Sequence, residues 1–266
     1  MKTFLRLIDD AASWLKTGYR EHLNQNIDNL SGDVTINSKN DIQKVVKSMV
    51  TSPSDSVNIP PVSESGAEKG VLRDVEMVRK RMREIEEEIY SCTKCRLNSG
   101  RKKAVPGEGN VIADIMFIGE GPGVQEDQQG RPFVGRAGQL LTKMLAAIQL
   151  RREEVYITNI VKCRPPENRA PLPDEVAACL PYLERQIEVV RPLIIVCLGG
   201  PAAQALVKTN LGITKLRGTF QHYDNIPVLP TYHPAAVLRF PERYKRDVWN
   251  DLKLLRDFYK DIRSSG

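Results

Sequence analysis

Four cysteines in two pairs carry the most specific spacing in this chain. Cys92 and Cys95 form a C-x2-C pair, while Cys163 and Cys179 are separated by fifteen residues that include the Pro-rich turn RPPENRAPLPDE. Together they supply four thiolates, which suit either a tetrahedral zinc ion or a cubane iron–sulfur cluster, and ligand type alone does not separate the two. The fifth cysteine, Cys197, lies in the apolar run LIIVCLGG and is expected to be a small buried hydrophobe.

A second set of residues sits where apolar runs end. The stretch MFIGEGPG leads from an apolar run into Gly119, Glu120, Gly121, Pro122 and Gly123. It lacks the third glycine of a dinucleotide fingerprint and the lysine of a phosphate-cradling loop. What remains is a loop whose missing Cβ atoms let a planar or sugar-phosphate ligand approach the backbone. At the ends of other runs stand Thr158-Asn159, Gly199-Gly200-Pro201 and Tyr232-His233-Pro234. An amide such as that of Asn159 can donate and accept together, which reading a base edge requires. With His233, one of only three histidines, and Phe133 in RPFVGR, these residues are expected to form a base-binding pocket.

The elements that must position these groups follow from periodicity. Short apolar runs at 115–118, 155–160, 193–198 and 228–231 alternate with helical patterns such as AGQLLTKMLAAIQL, PDEVAACLPYLERQIEVV and PAAQALVKT. Strands alternating with helices predict an α/β fold, a three-layer α/β/α sandwich around a central four-stranded, mostly parallel sheet. Ligands in such sheets bind beyond the carboxyl ends of the strands, where every bare loop of this chain falls. Residues 1–24 are predicted to form an amphipathic helix with Phe4, Leu5, Ile8 and Leu15 on one face, a candidate docking element for a protein partner. Residues 25–75 are rich in Asn, Ser, Asp, Pro and Gly and are expected to be a disordered linker. The folded body is then expected over 76–266.

Charge and hydropathy narrow the function class. The chain has 266 residues and a net charge of +6, but residues 1–75 hold nine basic and ten acidic side chains against 30 and 23 in the rest. All of the positive surplus lies in the C-terminal body, which favours a polyanion such as DNA or RNA over a membrane. No run approaches the roughly 20 apolar residues that span a bilayer, and the N-terminus carries Asp9 and Asp10 rather than a leader pattern. A cytoplasmic, monomeric protein with no membrane association is expected. Five cysteines in that compartment argue for metal ligation rather than disulfides.

In order and spacing, GEGPG at 119–123, EDQQGRPFVGRAGQLL at 126–141, TNIVKCRPPENR at 158–169 and HPAAVLR at 233–239 resemble the family 4 uracil-DNA glycosylases, as does the order of the four cysteines. The resemblance runs from about Tyr90 to Asp257. It implies a [4Fe-4S] cluster on Cys92, Cys95, Cys163 and Cys179, with zinc as the alternative, and hydrolysis of the N-glycosidic bond of uracil in single- or double-stranded DNA. It further implies that Phe133 stacks on the flipped uracil and that Asn159 bonds its Watson–Crick edge. Glu120, Gly121, Pro122 and Gly123 would line the pocket with Glu126 nearby, and His233 would donate to uracil O2. Better-known relatives carry an aspartate where this loop has Gly121, which leaves Glu120 or a backbone-held water as the activating group.

After His233, Val237, Leu238 and Arg239 are candidates for a wedge that fills the gap left by a flipped base. Two other function classes are compatible with the same residues. One is a uracil-DNA trap, for which the segment GITKLRGTFQHYDN offers Lys215 and Arg217 but no histidine directly after them. The other is a zinc-stabilised nucleic-acid adaptor without turnover.

Overall fold

The computed structural model describes residues 64–265. The expected N-terminal helix over 1–24, and the expected linker as far as residue 63, lie outside the described residues. The remaining twelve residues of that linker, 64–75, are helical, because the first helix, α1 (Glu64–Ser91), starts earlier than the charge pattern alone suggests.

Six strands form one sheet in the order β1-β3-β2-β4-β6-β5. Its centre is the four parallel strands read from the apolar runs: β2 (Ile115–Gly119), β3 (Tyr156–Asn159), β4 (Ile194–Leu198) and β6 (Ile226–Thr231). The expectation of four strands needs correction at the edges. β1 (Glu108–Gly109) and β5 (Gln221–Tyr223) pair antiparallel at the two margins. Both are short and half-exposed, so they carry neither an apolar run nor an alternating pattern, and only the neighbouring strand defines them.

β2, β3 and β4 are buried along their whole length, as a parallel sheet covered on both faces demands. Alternate residues feed two separate cores. Met116, Ile118, Tyr156, Ile195 and Cys197 point to one face, where they meet Met82, Ile85 and Ile89 of α1 and Tyr182, Leu183 and Ile187 of α4 (Pro173–Val190). The bidentate Arg185–Glu88 pair, at 2.6 and 2.7 Å, closes α4 on α1 at the rim. Ile115, Phe117, Ile157, Val196 and Leu229 point to the other face, against Leu141 and Leu145 of α3 (Arg136–Ala147) and Val248, Leu252 and Leu255 of the C-terminal helix. Each such aliphatic side chain contributes about 1.5–3 kcal/mol of burial. The three-layer expectation therefore holds, with helices on both faces. Among the described residues no helix is long and apolar enough to cross a membrane.

Register decides where chemistry can occur. Gly119 is opposite Asn159 and Leu198 opposite Thr231, so four chain segments leave the sheet at one carboxyl edge. There β2 runs into α2 (Val124–Gln129), β4 into α5 (Gly200–Val207), which the short α6 (Ile213–Leu216) follows, and β6 through His233 into α7 (Pro234–Arg239) and α8 (Pro241–Ser265).

Candidate active site

A pocket at this edge is lined by Glu120, Gly121, Pro122, Gly123, Glu126, Phe133, Asn159 and His233, so the structure brings together every pocket residue expected from the sequence. Pro165, Asn168, Arg169 and Pro171, from the loop between Cys163 and Cys179, form a wall that the sequence analysis did not assign. Proline density around a pocket-lining Asn is the only sequence signal for it.

Asn159 is the last residue of β3 and is 1 % exposed. Its Oδ1 is the one buried side-chain oxygen or nitrogen without a hydrogen-bond partner among the described residues. An orphaned buried acceptor costs about 1–3 kcal/mol, so this oxygen is kept for something the protein itself does not supply.

His233 caps α7, and its Nδ1 accepts the Ala235 N–H at 3.1 Å. Burial pushes the imidazole down to about 4, against a smaller opposing influence of the Glu126 carboxylate. The ring is therefore neutral at physiological pH, and with Nδ1 occupied as an acceptor its proton sits on Nε2. The ring lies 5.6 Å, centroid to centroid, from Phe133.

Phe133 is held in a conformation that a phenylalanine adopts only under constraint, with φ at 52°. Three devices hold it there. Glu126 Oε1 accepts the N–H groups of Val134 and Gly135 at 2.9 and 2.8 Å. Arg152 donates to the carbonyls of Phe133, at 3.0 Å, and Pro132, while Glu108 on β1 braces the same guanidinium at 3.0 Å. Gly138 of α3 lies flat against the Phe133 carbonyl, where any Cβ would collide with it. Arg152 and its brace Glu108 went unrecognised in the sequence because they reach the Phe133 loop from distant parts of the chain, and Gly138 because it acts only through the room it leaves for a carbonyl.

Glu120 is half-buried in the pocket; its carbonyl accepts the Val161 N–H at 3.2 Å, but its carboxylate makes no hydrogen bond or ion pair among the described residues, and burial raises its carboxyl above the usual range. Gly121 packs against Val161, whose Cγ2 would lie 2.9 Å from an added Cβ. A side chain at this position, such as the aspartate of better-known relatives, would require that wall to shift.

The wedge candidates separate. Val237 is 7 % exposed and belongs to the core on the α3–α8 face, so it is not free to enter DNA: its place on the inner face of α7 overrides the sequence expectation. Leu238 is half-buried and Arg239 exposed. Next to them Phe240, 52 % exposed and edge-on to Tyr244, is an aromatic side chain that the sequence analysis left unassigned. Arg217, considered above as a trap residue, instead turns inward to Asp251 at 2.6 Å and the Asp247 carbonyl at 2.7 Å. His222 is exposed on the marginal strand β5.

Cys92, Cys95, Cys163 and Cys179 line one cavity on the α1–α4 side, all as free thiols, whereas Cys197 is core as expected. Among the described residues no three His, Cys, Asp or Glu side chains converge as ligands of a single ion. Three donors face the sulfurs: Arg101 Nη1 to Cys163 at 3.0 Å, the Lys162 N–H to Cys179 at 3.2 Å and the Lys94 N–H to Cys92 at 3.5 Å.

A mostly parallel sheet that ends in a pocket lined by a buried amide with an unpaired oxygen, a histidine and a phenylalanine defines an α/β protein with its candidate site at the carboxyl edge of the strands. Residues 106–253 match the model of the uracil DNA glycosylase superfamily, and the chain belongs to that family. It is 48% identical over 192 residues to the type-4 uracil-DNA glycosylase of Sulfurisphaera tokodaii, covering 68% of this chain and 83% of that one. The type-4 enzymes of Saccharolobus solfataricus and Archaeoglobus fulgidus are 54% and 50% identical, over 59% and 62% of this chain and 77% and 88% of theirs.

Proposed function

We infer that this protein excises uracil from DNA by hydrolysing the bond between C1′ and N1, leaving an abasic site and an uncut strand. The observation that carries the reading is the unpaired, buried Oδ1 of Asn159 in a pocket shared with Phe133 and a neutral His233. An acceptor there matches the N3–H of uracil, and the amide nitrogen beside it matches O4. Cytosine offers the opposite pattern at both positions and would leave buried groups unpaired.

The target base must leave the helix to reach such a pocket, and Phe133 supplies a face for it to stack on. As the C1′–N1 bond breaks, its electron pair passes to the base and the sugar becomes oxocarbenium-like. His233 Nε2–H then donates to O2, where the charge collects, in a site from which water is largely excluded. Water adds to C1′, and its proton goes to a base. Glu120 is assigned that role, because burial has raised its proton affinity and no other group claims its carboxylate. Glu126 acts on the same pocket through the Phe133 loop, whose two N–H groups it holds.

The four cysteines are assigned to a [4Fe-4S] cluster. The four thiols rim one cavity and N–H donors face three of them, a setting that suits the sulfurs of a cluster, with zinc as the alternative. Burial pushes the Cys179 thiol up to about 11, so a positively charged inorganic centre is what would hold it as thiolate. The cluster would tie α1 and α4 to both ends of the loop that walls the pocket, and hydrolysis asks no electron of it.

Incubation with oligonucleotides bearing one uracil, single-stranded or opposite guanine, tests the activity. Free uracil and strands that break only in alkali are expected. Intact strands in the presence of folded protein would overturn the reading.

A further inference from the structure

A fully buried lysine close to the pocket has no part in the chemistry above. Lys162, 1 % exposed, lies three residues beyond Asn159, and no carboxylate pairs with it among the described residues. Its amino group instead makes three hydrogen bonds: to the Asn159 carbonyl at 2.8 Å, the Thr158 hydroxyl at 2.7 Å and the Gln186 amide oxygen at 2.6 Å. Those acceptors are fixed in turn. Thr158 Oγ1 donates to the Pro106 carbonyl at 2.6 Å, and Gln186 Nε2 donates to the same carbonyl at 3.0 Å and to the Tyr156 hydroxyl at 3.2 Å. The backbone of residue 162 is also held at both ends, its carbonyl by the Val105 N–H at 2.8 Å and its N–H by Cys179 Sγ at 3.2 Å.

The geometry points to Lys162 as a positioning residue that sets the aim of the Asn159 amide. β3 ends at Asn159: the Ile160 N–H of the next peptide still donates to the Gly119 carbonyl of β2 at 2.9 Å, but β1 pairs with β3 only at Tyr156 and Ile157, so the Asn159 carbonyl on that side must find its donor elsewhere. Lys162 reaches back from beneath the pocket to supply that donor and pins the peptide from which the Asn159 side chain projects. Three acceptors use all three N–H directions of an ammonium, leaving little rotational freedom at the anchor. A base-reading amide needs such support, because misplacement by about 1 Å is enough to lose about 100-fold in rate. The proposal rests on Asn159 being the residue that reads uracil.

The test compares wild type with Lys162→Met/Gln186→Leu, which replaces the amino group and one acceptor together by apolar groups and so avoids leaving the Gln186 oxygen stranded. Free uracil is titrated as an inhibitor of oligonucleotide cleavage, alongside kcat, KM and thermal melting. A Thr158→Val variant, which keeps the Lys162–Asn159 bond, serves as the comparison for stability alone.

The double variant is expected to bind free uracil at least tenfold more weakly, with the loss seen in kcat more than in KM for DNA, while Thr158→Val melts earlier yet keeps its uracil affinity. Wild-type uracil affinity in the folded double variant overturns the role of Lys162. If the double variant does not fold, Lys162→Met alone, which removes every donor at that position, is read in the same titration, and wild-type affinity there has the same meaning. Asn159→Ala is run in parallel: unchanged uracil inhibition in that variant would show that the pocket reading itself has failed, separately from the lysine.

Discussion

Gly119 and Asn159 face each other across β2 and β3 so closely that a Cβ on the glycine would lie 2.5 Å from Asn159 Oδ1. The same Cβ would come as near to the tip of the Phe133 ring. The bare end of β2 is therefore space taken up by two side chains that line the pocket, an amide and an aromatic, which arrive from different parts of the chain.

Gly119→Ala should accordingly behave as a pocket mutation rather than a backbone one. We expect about a 100-fold loss of uracil excision, as displacement of a reactive constellation by a fraction of an ångström to 1 Å produces, with the fold retained. Single-turnover kinetics on a uracil oligonucleotide, beside a circular dichroism spectrum, would measure it. Full activity would mean that neither Asn159 nor Phe133 needs its observed position.

Asn159→Ala and His233→Ala should each cost about 10²–10³ in kcat, the range seen when one preorganised donor is removed from a developing anion. Their stabilities should differ from the usual result of truncation. Because Asn159 Oδ1 is buried without a partner, its removal lifts a penalty of about 1–3 kcal/mol, and Asn159→Ala should melt no earlier than wild type. A clearly lower melting temperature would show that the amide is satisfied in solution.

The pH dependence of stability has a sign fixed by His233. Its folded pKa of about 4 lies below the ordinary 6.5, so between those values the unfolded chain binds the extra proton. The contribution of His233 to stability is thus intact above about pH 6.5 and is lost progressively as pH falls towards 4. Urea unfolding at pH 7 and pH 5 should show a larger loss in wild type than in His233→Ala. Equal losses would mean that the ring is already solvated in the native state.

Removal of the inorganic centre should act on structure before chemistry. Purified without oxygen, the protein is expected to be brown and to contain iron, and chelation should lower its melting temperature and sensitise the 164–172 loop to proteolysis. Iron-free protein with zinc in equimolar amount would replace the cluster assignment by a mononuclear site.

Substitutions at Leu238 and Phe240 should discriminate between substrates. Each to Ala should weaken cleavage of uracil in duplex DNA several-fold more than in a single strand, since only the duplex leaves a gap to be filled. Phe240, the more exposed, is expected to show the larger ratio. Equal effects on both substrates would assign these side chains to general strand contact, by stacking on unpaired bases.

Those side chains also mark the boundary between what the order of residues determined and what folding decided. The four buried strands, the helices between them and the bare loops at the strand ends were legible because apolar runs and glycines are local signals. So was the choice of the four cysteines and of Asn159, Phe133 and His233 as candidates, which the structure gathers into one cavity and one pocket. The tertiary structure alone decided that Val237 faces inward while Phe240 faces out, since one turn of helix docked on the core chooses between them. It also decided that Arg217 is spent on Asp251, that Glu126 and Arg152 clamp the Phe133 loop, and that Lys162 lies buried beneath Asn159. Such partnerships depend on which distant segments the sheet order brings to one edge. A charged residue looks the same in the sequence whether it will face water or a carbonyl.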